Sequence, residues 1–377
     1  MTIACLADMA DAAACPRLVV KVGSSLLVGK DGVRRSWIEG LVGEIASARG
    51  RGQEVIVVSS GAIALGAAKL GLAKGGRGSL ADAQAAAAVG QIALSGLWAE
   101  LLGGHGLTAA QLLLTLEDLE DRRRYLNATA TLTRLLDAGA VPVINENDSV
   151  ATQEIRFGDN DRLAARVAQA ARASAVLLLS DVDGLYDRNP SDPAAVLLPE
   201  VRGVSAEIHA MADGGSASGL GSGGMTSKLQ AAEIAERAGI ALAIINGTFA
   251  APLARALGGE GRGTLFLPVQ KARARKAWLG GRLRLKGSLV VDGGAARALA
   301  TGSSLLAAGV TSVEGQFARG DAIAIRDAAG AVLAHGLSEY DADECTRLIG
   351  HHSRDHEALL GYAPRSAVVH RDQLVLL

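Results

Sequence analysis

Cysteine is scarce in this 377-residue chain: Cys5, Cys15 and Cys345 are its three, widely spaced and with no CxxC pair. That argues against a zinc or redox centre and fits a reducing cytoplasm. An excess of either charge is also lacking, since 38 Lys and Arg against 39 Asp and Glu give a net charge of -1. Near-neutrality argues against wholesale nucleic-acid binding. No apolar run reaches the roughly 18 residues needed to cross a bilayer, so a soluble protein is expected. The opening MTIACLADMADAAACPR has neither the basic region nor the long apolar stretch of a secretory signal. Residues 1–16 are therefore expected to be a mobile N-terminal extension. There is no GxSxG elbow, no HExxH and no Cys/His pairing at metal-ligand spacing.

What is present is length and pattern. A chain of 377 residues exceeds the size at which single cores stop growing, so two domains are expected. Apolar, β-branched runs recur at 18–22, 54–60, 111–115, 141–145, 175–180 and 241–247. Continuous hydrophobicity marks strands buried on both faces, as in a parallel sheet. Between them lie helical patterns at 36–49, 79–102, 121–138, 160–172 and 227–238, several closed by glycine. Strand alternating with helix predicts an α/β domain with a doubly wound, mostly parallel sheet over 17–270. The basic, Gly-containing stretch KARARKAWLGGRLRLKG then breaks the pattern, and 271–285 reads as a linker. Beyond it, short strands such as SLVVD and AIAIRD, Gly-rich turns and one short helix predict a small β-rich domain over 286–365. The late histidines, His351, His352 and His356, read as surface or turn residues of that domain.

Polar residues gather where the strands end. The segment VPVINENDSVATQEIRFGDND (141–161) passes from an apolar strand into Asn145, Glu146, Asn147, Asp148, Asp159, Asn160 and Asp161. Such a loop is either a solvated acidic turn or a ligand site. Its place at the C-terminal end of a strand favours the second, because open α/β sheets bind ligands there. Other endings match it: Lys21 with Gly23, Ser24 and Ser25; Ser59, Ser60 and Gly61; Ser180 with Asp181; Asn246 with Gly247. Lys21 interrupts an apolar strand, so it either snorkels to the surface or faces an anion beside the Gly23–Ser25 amides. GLGSGGMTSK (219–228) is a glycine-rich loop opening a helix near Ser227. Gly219, Gly221 and Gly224 fit GxGxxG, but no strand precedes them, so the dinucleotide fingerprint fails. An amide-rich loop with Lys228 in the first helical turn remains, suited to phosphate. Two distant lysines, glycine-rich turns and a carboxylate cluster together suit phosphoryl transfer.

The motifs VVKVGSSLL, VIVVSSGAIALG, AVGQ, VPVINENDSV, FGDNDRLAA, LLLSDVDGLYD and SGLGSGGMTSKLQAA, with GSSLLAAG, FARGD and AHGLSEY downstream, resemble those of the glutamate 5-kinase family of amino-acid kinases, in the long form with a C-terminal PUA domain. The resemblance implies an amino-acid kinase fold and an ATP-dependent transfer to the γ-carboxylate of L-glutamate, with Mg2+. It implies that Lys21, Lys228 and Asp161 are catalytic, Asp161 holding both lysines. By the same resemblance Lys21, Gly23, Ser24, Ser180, Asp181, Ser222, Gly223, Gly224, Met225, Thr226, Ser227 and Lys228 would bind ATP. Ser60, Gly61, Asn145, Asp148, Asp159 and Asn160 would bind glutamate; by side-chain chemistry, apart from the resemblance, Asp148 suits its ammonium and Asn160 its carboxylate. Ser180 stands where the family commonly has threonine. No metal ligands are assigned.

A carboxylate acceptor, with a pKa of about 4.3, is already ionised at neutral pH. No general base is needed, in keeping with the lack of His or Cys among these residues. The resemblance further implies feedback inhibition by proline, a homo-oligomer (dimer or tetramer) and a cytoplasmic location without membrane contact; it leaves open whether the labile product is handed directly to the next enzyme of proline biosynthesis. Kinases acting on acetylglutamate or aspartate are the nearest rivals, against which NENDSV, FGDND and the PUA-like tail argue. PUA modules also bind RNA, which leaves an RNA-binding or RNA-modifying protein as the rival from another class.

Overall fold

Strand and helix alternate along the first two-thirds of the chain as its apolar periodicity predicts. The computed structural model describes residues 2–29, 32–150, 160–212, 224–258, 261–269, 285–362 and 365–376. The chain divides into two compact units, Met1–Glu120 with Ala128–Lys271, and Asp121–Asn127 with Ala272–Leu377.

The first unit carries β1 (Arg17–Val22), a small hairpin of β2 (Val28–Gly29) and β3 (Gly32–Val33), β4 (Glu54–Ser59), β5 (Ala109–Leu114), β6 (Val141–Glu146), β7 (Ala175–Ser180), β8 (Glu200–Arg202), β9 (Ala241–Asn246) and β10 (Gly263–Leu267). Eight of them make one sheet in the order β5-β6-β4-β1-β7-β9-β10-β8. The strands from β5 to β9 run parallel, whereas β10 pairs antiparallel with β9. β6 and β7 are buried at every residue, which is why their sequences show no alternation. The sheet grows outward from β1 in both directions, so the C-terminal ends of β4, β1 and β7 lie at the point where ligands bind in such folds.

The helices of this unit are α1 (Ser24–Leu27), α2 (Arg35–Gly50), α3 (Ala62–Leu70), α4 (Leu80–Gly103), α5 (Leu116–Glu120), α6 (Arg122–Asp137), α7 (Asn160–Ala171), α8 (Ala206–Ala212), α9 (Met225–Arg237) and α10 (Pro252–Leu257); the first residues of α6 sort with the second unit. α4 is long and apolar enough by composition to cross a membrane, which a search for uninterrupted apolar runs does not register. Its Leu94, Trp98 and Leu102 instead lie in the core with Leu41, Ile45 and Val57. α3 and α4 cross at Gly66 and Gly90, where a Cβ on either glycine would overlap backbone atoms of the other helix.

The expectation of a mobile extension is corrected. Ile3, Met9 and Cys15 are buried in the main core. Gln53 donates through Nε2 to the carbonyls of Met9 and Cys15, both at 2.7 Å, so a buried amide ties the segment down. Burial pushes the Cys15 thiol up to about 12, far from a reactive thiolate.

The second unit holds β11 (Gly287–Val291), β12 (Leu305–Leu306), β13 (Val310–Gly315), β14 (Ala322–Arg326), β15 (Val332–Leu337), β16 (Ala367–Val369) and β17 (Leu374–Leu376). Five strands form a sheet in the order β13-β11-β14-β15-β17, and β12 pairs with β16. β16 and β17 extend the unit past residue 365, where the β-rich pattern was expected to stop. α11 (Gly293–Ala300) starts on Asp292, whose side chain accepts from Ala295 N. α12 (Ala342–Leu348) starts on a capping box of Asp341 and Glu344. α13 (His356–Leu360) opens on His356, which is fully buried and edge-on to Tyr340 at 6.2 Å. The surface reading of His356 is thus overturned: it fills the core beneath a Tyr ring.

Candidate active site

Lys21 occupies the central strand, with Val58 and Leu178 beside it in register on β4 and β7. These aliphatic flanks offer its ammonium nothing. The partner comes from the first turn of α7, where Asp161 places Oδ1 2.6 Å from Lys21 Nζ. Asp161 Oδ2 lies 3.0 Å from Lys228 Nζ, in the first turn of α9. The carboxylate is 1% exposed and the two lysines 8% and 7%, so the triad is buried. Burial alone would push the Asp161 carboxyl up; the two ammonium groups outweigh it and hold it at about 2. Three segments more than 60 residues apart in sequence are thereby joined by one side chain.

A second cluster is neutral. Asn160, 2% exposed, donates through Nδ2 to Ser60 Oγ at 2.7 Å, to Asn145 Oδ1 at 2.9 Å and, at 3.4 Å, to the Ser59 carbonyl. Asn145 in turn donates to Gln91 Oε1 on α4 at 2.8 Å. Ser59 is fixed from behind, since Trp98 Nε1 donates to its Oγ at 2.9 Å and that hydroxyl donates to the Ser60 carbonyl. Gly61 follows at φ 110, a conformation that glycine adopts without strain, and starts α3. Asp148, on the turn after β6, is buried, and burial pushes its carboxyl up to about 6 while the charge of Arg77 partly opposes the rise. Glu146 is buried beside it in sequence.

The remaining expected residues border these clusters. Gly23 N-caps α1, and a Cβ there would sit 3.7 Å from Lys21 Nζ, so the turn and the ammonium are neighbours. Ser24 is the first residue of that short helix. Ser180 ends β7, donates to Asp181 Oδ1 at 3.3 Å, and its carbonyl accepts from Gly247 N. Gly224 N-caps α9 with open space at its Cα, and Met225, Thr226, Ser227 and Lys228 form the first turn. Asp159, Ser222 and Gly223 lie outside the described residues. So do Gly219 and Gly221 of the glycine-rich loop.

A cleft of about 680 Å³ opens at the C-terminal end of β9, lined by Asp183, Asn246, Phe249, Pro252, Arg255 and Arg262 among others. Asp183 pairs with Arg262 Nε at 3.1 Å and accepts from Asn246 Nδ2 at 2.9 Å. The Arg255 guanidinium stacks 3.7 Å over the Phe249 ring. Sequence reasoning assigned no role to Gln91, Trp98, Arg77 or this cleft. Gln91 had one available signal, a carboxamide next to glycine in an Ala-rich helix; the others had none. Among the described residues no three His, Cys, Asp or Glu side chains converge as a metal cage.

The family model described as the amino acid kinase family matches residues 16–246, and the PUA domain model matches residues 287–360. The glutamate 5-kinase of Novosphingobium aromaticivorans is 75% identical, the alignment covering 100% of each chain. That of Sphingopyxis alaskensis is 62% identical over 97% of this chain and 98% of its own. That of Zymomonas mobilis is 55% identical over 96% and 92%.

Proposed function

The chain belongs to the glutamate 5-kinases, a branch of the amino acid kinase family, with a PUA domain after the kinase domain, and on that premise we propose that it transfers the terminal phosphoryl group of ATP to the γ-carboxylate of L-glutamate. The product is L-glutamyl 5-phosphate. The observation that carries this reading is the Lys21–Asp161–Lys228 triad, where two ammonium groups from distant segments are held by one buried carboxylate.

Attack by an ionised carboxylate on a phosphoryl group brings two anions together. What such a reaction requires is fixed positive charge in a dry site, already oriented before the reactants meet. Asp161 supplies the orientation: with both oxygens engaged, neither lysine has to reorganise when the transferred group loads with charge. The α9 N-terminus adds backbone amides and dipole on the Lys228 side. The Gly23–Ser24 turn does so on the Lys21 side. Ser180, Asp181 and the cleft of about 680 Å³ near Asn246 suit the rest of the nucleotide. Ser60, Gly61, Asn145, Asp148 and Asn160 are assigned to glutamate. Mg2+ arriving with the nucleotide would neutralise phosphate charge without needing a cage of protein ligands, and the fixed positive charge that the chain itself supplies is that of the two lysines.

Proline inhibition, a cytoplasmic location and service in proline biosynthesis belong to the same reading. So does homo-oligomerisation, supported by an exposed stripe on α4 at Ala81, Ala85, Ala88, Ile92 and Ala99, with Ile92 76% exposed. The test of the reaction is incubation with ATP, Mg2+, hydroxylamine and a panel of amino acids. Glutamate alone should give the hydroxamate of an acyl phosphate together with ADP. ADP without hydroxamate, or hydroxamate from aspartate or acetylglutamate in preference, would overturn the assignment. RNA retained on filters at physiological salt, with no kinase activity, would favour the RNA-binding reading instead.

A further inference from the structure

The amide cluster has a direction. A backbone carbonyl can only accept, so the Asn160 atom 3.4 Å from the Ser59 carbonyl is the NH2 group. Its two hydrogens are taken by Ser60 Oγ and Asn145 Oδ1. Asn145, accepting with its oxygen, must turn its own NH2 to Gln91, whose Oε1 accepts at 2.8 Å. Each amide fixes the next, and Gln91 is the far end of the chain. It reaches Asn145 because the preceding Gly90 brings α4 into backbone contact with α3.

One atom is left over. Asn160 Oδ1 is buried and has no hydrogen-bond partner among the described residues, and the same holds for Asp148 Oδ1. Buried acceptors without donors are costly, so both call for N–H groups from a ligand. Two acceptors and no donor fit an ammonium and do not fit a carboxylate. Because the Asn160 amide hydrogens are already engaged, the ammonium end of glutamate suits its free oxygen better than the carboxylate end to which the sequence assigned it.

Resting on the reading that Asn160 contacts the amino-acid substrate, we infer that Gln91 is a positioning residue which, through Asn145, holds the Asn160 carbonyl toward the substrate ammonium and so makes the site selective for an amino acid over the corresponding dicarboxylic acid. A donor at position 91 would draw in Asn145 Oδ1 and turn Asn145 Nδ2 toward Asn160 Nδ2, setting donor against donor and loosening the hold on the Asn160 carbonyl.

The test uses full-length enzyme, glutamate as substrate and glutarate, which lacks the ammonium, as competitive inhibitor. Gln91→Glu keeps an acceptor in place and should leave the KM for glutamate within about threefold of wild type. Gln91→Lys supplies only donors and should raise that KM roughly 10- to 100-fold, the range for losing a hydrogen bond to a charged group. The KM for ATP and the Ki for glutarate should stay within about threefold. If Gln91→Lys melts early, Gln91→Met carries the same prediction at smaller size. A glutarate Ki that rises in step with the glutamate KM, or a Gln91→Glu enzyme as impaired as Gln91→Lys, overturns the inference. Wild-type enzyme inactive on glutamate overturns the reading of the function itself, and this inference with it.

Discussion

Asn160 and Asp161 are adjacent in the first turn of one helix, yet they anchor clusters of opposite character. Asp161 gathers two ammonium groups into a buried ionic triad. Asn160 gathers Ser60, Asn145 and, at one remove, Gln91 into a neutral chain of hydrogen bonds. The difference follows from what each must do. An ionic triad fixes charge, and its strength does not depend on which way a dipole points. An amide chain carries no net charge but fixes direction, since each carboxamide has a donor end and an acceptor end. Chemistry at a phosphoryl group needs charge, whereas telling the two ends of a small zwitterion apart needs direction. Placing both on one helical turn couples them at fixed spacing.

If that contrast is right, the largest effect comes from breaking the ionic side. Asp161→Ala would leave two ammonium groups buried without their shared counter-ion. Removing one partner of a buried ion pair costs about 3–5 kcal/mol, so a comparable loss of folding stability is expected in urea titrations. A loss under about 1 kcal/mol would mean that water reaches the lysines and that the triad is not dry. The acid limb is signed. The folded pKa of Asp161 lies near 2, below its ordinary 3.8, so its contribution is full above pH 4 and is lost as pH falls from about 4 to 2. Next in size is Lys228→Ala. Asp161 keeps Lys21, so the fold should persist, while kcat falls on the order of 10² to 10³, as for losing one preorganised stabilising donor. An unchanged kcat would remove Lys228 from the mechanism.

The substrate side should respond more mildly and in KM. Asp148→Ala is expected to raise the KM for glutamate on the order of tenfold, with the KM for ATP near wild type, because a contact made equally in ground and transition states is lost. The pH dependence sharpens this. With its folded pKa near 6, Asp148 becomes protonated below pH 6, and the KM for glutamate should climb there. The linkage sign is opposite to that of Asp161: the folded state holds this proton more tightly than the unfolded chain. Stability of the ligand-free protein therefore falls as pH rises from about 4 to 6, and Asp148→Asn should melt higher than wild type at pH 8. A glutamate KM flat between pH 5 and 8, or a rise in the ATP KM instead, would show that the acidic turn reads something else.

The sequence displays these two sides unequally. Lys21 is visible because a lysine inside LVVKV has few innocent explanations, and the strands are visible because both faces are buried. The triad pairing came from family resemblance: 67 residues separate Asp161 from Lys228, and no local pattern links them. Gln91 is marked only by a carboxamide after glycine in an Ala-rich helix, which says nothing of a partner 54 residues away. β8 was missed because only Val201 of its three residues is buried, and β10 because its apolar run is only Leu265, Phe266 and Leu267, after a glycine-rich stretch that resembles a loop. The N-terminal segment looked mobile because its anchors, Ile3, Met9 and Cys15, are too dispersed to form a period. His356 looked superficial because histidine usually is, and its burial depends on a Tyr ring 16 residues earlier.

The smallest effect tests whether the contrast is local to the first unit. Every residue of both clusters precedes Lys271, so a chain ending there should keep them all and phosphorylate glutamate with kcat within a few-fold of full length. Stability should suffer more than activity. Leu126, 1% exposed, packs among Ala322, Leu337 and Val375, and its carbonyl accepts from Arg365 Nη2. Truncation would bare that leucine, worth about 1.5–3 kcal/mol, and Leu126→Gln in the shortened chain should restore solubility without changing kcat. Proline response and oligomeric state are free to change, because neither is tied to the two clusters. A shortened chain well folded by circular dichroism but without kinase activity would mean that residues after 271 help hold the lysines or the amide chain, and the division into charge and direction on one helical turn would not be self-sufficient.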